Sequence, residues 1–207
     1  MDRLILESFS KEYYHSLAWD NTYWRGFQAK KCPLDLWIYQ EIIYDTKPDI
    51  IIECGTAEGG TALFMADVCL LLGKGHVITI DIVPKKNLVH DNLVTAWGSS
   101  IDEEIVREVT SYIGRSDNVM VILDSDHRKE HVLKELDIYS KLVTKDNYLI
   151  VEDTNLNGNP ITENFVGEGP MDALREFDIS KSGFMVDTLR EKHILTMNPR
   201  GYLVKIR

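Results

Sequence analysis

Apolar positions fall in short blocks along this chain, and successive blocks switch between two periods. Asp49 opens the run Ile-Ile-Ile-Glu-Cys54, a nearly continuous β-branched stretch that ends at a glycine turn. That is the pattern of a strand buried on both faces. Thr61–Leu72 is apolar at helical spacing and closed by Gly73 and Gly75, which predicts a buried helix. His76–Asp81 predicts a second strand, and residues 85–110 one or two helices around a short strand near Leu93–Trp97. Asn118 through Asp126 predicts a fourth strand and Tyr148–Asp153 a fifth. Between them, Glu130–Val143 sets Val132, Leu136, Tyr139 and Val143 on one stripe of an amphipathic helix. Pro170–Phe177 reads as a helix with proline at its start. Upstream, Pro33, Asp35, Leu36, Ile38, Ile42 and Ile43 predict a capped amphipathic helix ending near Pro48.

Strands that alternate with helices imply a mostly parallel sheet covered on both faces. Two late strands, Phe184–Asp187 and Tyr202–Ile206, have no helix of useful length between them and so predict an antiparallel pair. The expectation is an α/β, Rossmann-like sheet of seven strands in the order 3-2-1-4-5-7-6, the pattern of class I methyltransferases. A dinucleotide-binding dehydrogenase more often continues with parallel units. Residues 1–30, rich in Tyr and Trp, are expected to form a helical, aromatic cap, and residues 31–207 the main domain.

Composition narrows the partners. The 207 residues are 44% hydrophobic and carry a net charge of -10, which disfavours nucleic acid and anionic membranes as partners. No apolar run approaches the roughly 20 residues of a membrane helix. Three cysteines (Cys32, Cys54, Cys69) match no zinc spacing and imply no disulfide framework, so a reducing, cytoplasmic setting is expected. The aromatic first segment is compatible with a homo-oligomer.

The first strand ends in Glu53-Cys-Gly55-Thr-Ala-Glu-Gly59-Gly60-Thr61. Glycines at a strand-to-helix turn let backbone approach a ligand, and the helix start presents free N–H groups. The G-x-x-x-G-G spacing departs from the dinucleotide fingerprint. Asp81 closes the second strand, where a carboxylate can accept both ribose hydroxyls. Glu53 decides between ligands: a carboxylate there suits a cationic amino acid and sulfonium, and would repel a pyrophosphate. The expected cofactor is S-adenosylmethionine, held by Glu53, Gly55, Thr56, Ala57, Gly59, Gly60, Thr61, Asp81, Ser99 and Asp124.

Two acidic pairs reach the same rim. The fourth strand runs into Asp124-Ser-Asp126-His127 and the fifth into Glu152-Asp153. Converging carboxylates repel unless a cation or proton intervenes. Mg²⁺, which takes oxygen ligands, is the expected ion, with Asp126, Glu152 and Asp153 as protein ligands and Asp124 either a ligand or a brace. Such an ion can hold an acceptor and lower the pKa of its hydroxyl. His127, Lys129 and His131 are the candidate bases, with His127 foremost at the strand end.

The segment Lys31-Cys-Pro33-Leu-Asp35-Leu-Trp37-Ile-Tyr39-Gln40-Glu41, the glycine turn, Leu123-Asp-Ser-Asp126-His127, Val151-Glu152-Asp153-Thr154 and Asn198-Pro-Arg-Gly201-Tyr202-Leu203 together resemble the cephalosporin hydroxylase / rhamnosyl O-methyltransferase family. The resemblance runs from about Trp24 to Arg207. It implies the class I fold, S-adenosylmethionine and Mg²⁺ at the acidic cluster. It also makes Lys129, three residues past Asp126, a rival to His127 as base. The expected activity is O-methylation of a hydroxyl on a sugar or small natural product. Two rivals stand beside it: an NAD-dependent oxidoreductase, and a non-catalytic subunit that only binds S-adenosylmethionine.

Overall fold

The computed structural model describes residues 3–85, 87–162 and 167–207. The first two residues of the expected N-terminal cap therefore lie outside the described residues. The chain opens with helix α1 (Arg3–His15) and a two-stranded hairpin, β1 (Tyr23–Trp24) and β2 (Phe27–Gln28). Helix α2 (Pro33–Thr46) follows, then β3 (Ile50–Cys54), α3 (Gly60–Leu72), β4 (His76–Asp81), β5 (Leu93–Trp97) and α4 (Glu103–Ser111). The second half holds β6 (Val119–Leu123), α5 (Lys129–Tyr139), β7 (Tyr148–Val151), α6 (Pro170–Glu176), β8 (Phe184–Val186), a short 3₁₀ turn (Thr188–Glu191) and β9 (Tyr202–Lys205).

The seven long strands form one sheet in the order β5-β4-β3-β6-β7-β9-β8. Counted along the chain from β3, that is the anticipated 3-2-1-4-5-7-6. The pairs β3–β4, β3–β6, β4–β5 and β6–β7 are parallel, and β9 runs antiparallel to both β7 and β8. Helix α5 is shorter than its apolar stripe suggested: it ends at Tyr139, and Val143 reaches the core from the loop beyond.

Side-chain alternation divides the core into two layers. Ile50, Ile52, Cys54, Val119, Val121, Leu123, Leu149 and Val151 face one way, towards Val109 of α4, Leu136 of α5 and Leu174 of α6. Ile51, Met120, Ile122, Tyr148 and Ile150 face the other way, towards Ile38 and Ile42 of α2 and Phe64 and Met65 of α3. This parity positions the site. Ile51, Ile122 and Ile150 are each followed two residues later by an acid: Glu53, Asp124 and Glu152. All three strands are in parallel register, with Glu53 opposite Ile122 and Ile122 opposite Ile150. The acids extend the isoleucine column towards the carboxyl ends of the strands, on the α2 and α3 side.

The N-terminal segment packs tightly on the rest. Tyr14 of α1 stacks on Trp19 and joins Leu156, Ile161, Leu195 and Met197 in a small satellite core. The β1–β2 hairpin lies on α3: Trp24 meets Phe64 edge-on and donates its indole N–H to Asp67 at 2.7 Å. A Cβ on Gly60 would lie 2.6 Å from the backbone of Gln28 and Ala29, so only glycine lets the hairpin sit this close to the start of α3.

Candidate active site at the carboxyl edge of the sheet

A cavity of about 620 Å³ opens above the ends of β3, β4, β5 and β6. Its wall includes Gly55, Ala57, Asp81, Ser99, Asp124 and Asp126. The volume lies within the range common to small-molecule sites. At Gly55 the chain leaves β3 with φ +103°, a left-handed conformation that favours glycine. Asp81 braces the turn that follows, because its Oδ2 accepts the N–H groups of Thr56 (3.1 Å) and Ala57 (2.9 Å).

Below the turn, Thr56 Oγ1 lies 2.6 Å from Thr79 Oγ1, and Thr79 donates to Glu53 Oε2 at 2.6 Å. Glu53 is buried, and its second oxygen, Oε1, has no hydrogen-bond partner among the described residues. Burial pushes this carboxyl up to about 8. A buried acceptor left unmet costs on the order of 1–3 kcal/mol. A cationic donor would relieve that cost.

Other expected cofactor residues turn elsewhere. Thr61 donates its hydroxyl to the Ala29 carbonyl at 3.1 Å, Gly60 packs against the hairpin, and Gly59 caps α3 against Leu88. These three hold the turn rather than line the cavity.

The acidic cluster sits beside the cavity and shares Asp124 with it. Asp124, His127 and Asp153 each offer a ligand atom, and all three atoms lie within 4.8 Å of one another. His127 Nε2 is 3.3 Å from Asp153 Oδ2 and 3.6 Å from Asp124 Oδ1. Burial works against the imidazolium, but Asp153 and then Asp124 outweigh it and raise His127 to about 9. At Asp153 the backbone turns left-handed, φ +53°, and its N–H is fixed by Asn198 Oδ1 at 3.0 Å. Aspartate tolerates that conformation better than most residues.

Lys31, just before α2, is the cation that sequence reasoning missed. Its side chain is buried, with Nζ 2.5 Å from Asp124 Oδ2 and 2.6 Å from Glu152 Oε2. Burial opposes the ammonium, yet Asp124 and Glu152 hold its pKa above the usual lysine value. Asp124 is correspondingly kept below the usual carboxylate range despite its burial, by Lys31 and then His127. Burial beside Asp124 and Asp153 moves Glu152 the other way, upward, although Lys31 opposes this. Tyr39 of α2 donates its hydroxyl to Glu152 Oε1, so Glu152 is braced from two sides. Tyr39 stands one turn after Asp35, which is also buried and accepts from Thr196, Met197 and Tyr202. An acid four residues from a tyrosine on an apolar stripe was a usable signal for Tyr39. Nothing comparable marks Lys31.

The remaining expected residues separate. Asp126, expected as a metal ligand, lies outside the trio. It accepts the Arg128 N–H at 3.0 Å in a local turn and is clasped by the Arg128 guanidinium, which holds it down to about 2. The reason is where the strand stops: β6 ends at Leu123, the Asp124 N–H still donates to the Cys54 carbonyl at 2.8 Å, and by Asp126 the chain has entered the turn to Arg128. Lys129 turns outward to Glu168 and Glu176, 2.9 Å from each. His131 faces the cavity, 3.1 Å from Ser125 Oγ and 3.2 Å from Ser100 Oγ, and both hydroxyls donate to the buried Glu135.

Comparisons with known proteins identify the family and the fold. The model of the family described as Rhamnosyl O-methyltransferase/CmcI matches residues 16–206. A rhamnosyl O-methyltransferase of Mycobacterium leprae is 35% identical across 97% of this chain and 90% of its own length. One from Mycobacterium bovis BCG is 34% identical over 97% and 85%. Among solved structures, an apo form of CmcI superposes with a TM-score of 0.68 at 19% identity, covering 91% of this chain and 77% of that one. A CmcI structure with Mg and SAM superposes with a TM-score of 0.65 at 18% identity, covering 91% and 78%. At these identities the likeness of the solved structures concerns the fold.

Proposed function

This chain belongs to the rhamnosyl O-methyltransferase/CmcI family, and from that premise we propose that it moves a methyl group from S-adenosylmethionine to a hydroxyl of a sugar or small natural product. One observation carries the reading: Asp124 both lines the 620 Å³ cavity and belongs to the Asp124–His127–Asp153 cluster. A cofactor in the cavity and an acceptor at the cluster would meet at that residue. In this reading Asp81 faces the ribose and Glu53 Oε1 receives the cationic amine.

The donor set also suits Mg²⁺, an ion that prefers oxygen ligands. Asp124 and Asp153, with Glu152 adjacent, would hold it, and it would supply charge that lowers the pKa of a bound hydroxyl. The chain's own work is positional and protolytic. The carboxylates orient the acceptor, and close alignment of oxygen, methyl carbon and sulfur is the main requirement of the step. The new bond joins the acceptor oxygen to the methyl carbon as the carbon–sulfur bond breaks, and the sulfonium becomes a thioether. The released proton goes to His127 Nε2; because Asp153 and Asp124 raise this group to about 9, it acts as base in the neutral fraction, which grows as pH rises towards that value.

The oxidoreductase reading is disfavoured by the antiparallel end of the sheet and by the buried Glu53, which would repel a pyrophosphate. Calorimetric titration with S-adenosylmethionine, with NAD as control, followed by mass spectrometry of rhamnosylated and other glycoside acceptors, tests the proposal. Tight binding of S-adenosylmethionine and a methylated glycoside are expected. Binding of NAD alone would overturn it. Binding of S-adenosylmethionine with no transfer to any acceptor would favour a non-catalytic role.

A further inference from the structure

We propose that Lys31 is the resident counter-cation of the carboxylate cluster, and that a divalent ion enters this site only by displacing its ammonium. The inference rests on the metal-binding part of the reading above and not on the identity of the acceptor. Lys31 Nζ bridges Asp124 Oδ2 and Glu152 Oε2 at 2.5 and 2.6 Å, from a side chain only 5% exposed. Those carboxylates stand on neighbouring strands, and like charges at this spacing need a cation between them. The ammonium already fills that role.

An ion bonded to either oxygen at the roughly 2.1 Å typical of Mg²⁺ would lie within about 5 Å of Nζ. Two cations that close, away from water, repel strongly. Lysine is suited to yielding, because its charge sits on a flexible four-carbon stem. Its backbone is not free to follow. The Lys31 N–H donates to Thr22 Oγ1 at 3.1 Å, and that hydroxyl is itself anchored on the Trp19 carbonyl at 2.8 Å, so the exchange falls to the side chain. Lys31 thereby sets the affinity for the ion and keeps the cluster assembled before the ion arrives.

The test is direct ion binding on the whole chain, read by calorimetry with Mn²⁺ and Mg²⁺ and by the ion-induced shift of the thermal midpoint. Lys31→Met should bind Mn²⁺ at least ten-fold more tightly than the wild type. It should also have a lower midpoint without the ion and a larger ion-induced rise. Lys31→Arg, which keeps the charge, should bind no more tightly than the wild type. Equal or weaker binding by Lys31→Met, or tighter binding by Lys31→Arg, would overturn the proposal. If Lys31→Met folds only when the ion is present, that requirement supports it. If the ion does not rescue folding, Lys31→Gln is judged by the same ten-fold criterion. Absence of ion binding in every variant would also overturn it, and would leave cofactor binding and methyl transfer to be judged by their own assays.

Discussion

A Cβ placed on Gly55 would stand 2.0 Å from the carbonyl oxygen of Asp124, and this approach locks the end of β3 to the end of β6. The contact is between backbones, so no side-chain rotation relieves it, and φ at Gly55 is +103°. Gly55→Ala should therefore destabilise the fold by about 3 kcal/mol or more, within the range of mutations that clash and strain together. It should also weaken S-adenosylmethionine binding, since Gly55 and Asp124 both line the cavity. Urea denaturation and calorimetry read the two effects. A wild-type unfolding midpoint would show that the strands separate easily.

Asp35 is the second structural keystone. It accepts from Thr196 Oγ1 (2.6 Å), the Met197 N–H (2.9 Å) and the Tyr202 hydroxyl (2.8 Å). Asp35→Ala strands two buried donors and one part-buried one and should cost about 2–4 kcal/mol, measured by urea denaturation. Asp35→Asn keeps an acceptor oxygen and should lose less. A smaller loss for the alanine variant would contradict the network.

Asp124 and Asp126 stand two residues apart and should behave differently. Asp124→Asn removes the carboxylate shared by the cavity and the cluster, and should lower turnover by about 100-fold or more, the scale of losing a key electrostatic group. Asp126→Ala breaks the Arg128 clasp at the cavity wall but leaves the Asp124–His127–Asp153 trio intact, and should stay within a few-fold. Steady-state kinetics on both variants decide the matter, and the opposite ranking would return Asp126 to the site.

Glu53 gives a pH dependence with a defined sign. Burial raises its carboxyl to about 8, above an ordinary value near 4.5. The folded state therefore holds this proton more tightly than the unfolded chain does. The stability it contributes is fully present below the unfolded pKa and is lost as pH rises through about 8. Between about pH 5 and about pH 8, the wild-type thermal midpoint should fall relative to that of Glu53→Gln, which has no such proton to lose. Parallel profiles for the two proteins would mean that Glu53 is ionised across the whole range.

The strands, the antiparallel end and the cavity turn were legible because each rests on a local pattern, whereas the strand order came from likeness to class I methyltransferases. Continuous β-branched runs make buried strands, Gly55 and Gly59 punctuate the turn, and missing helix signals between Asp187 and Tyr202 forced the antiparallel end. The choice among neighbouring acids was less legible. Asp124 and Asp126 have the same chemistry, and only the point where β6 stops fixes which of them stays bonded to the neighbouring strand. Lys129 was placed by its spacing, yet Glu168 and Glu176, distant in sequence, draw it outward.

By itself, then, the sequence determined the layered α/β architecture and the acids that close the strands, since periodicity and turn chemistry act over a few residues; the strand order was read from likeness to class I methyltransferases. Only the tertiary structure decided the cation among those acids. Lys31 meets Asp124 and Glu152 across 93 and 121 positions of chain. No local pattern encodes that meeting, because it arises from packing α2 and the segment before it against the sheet.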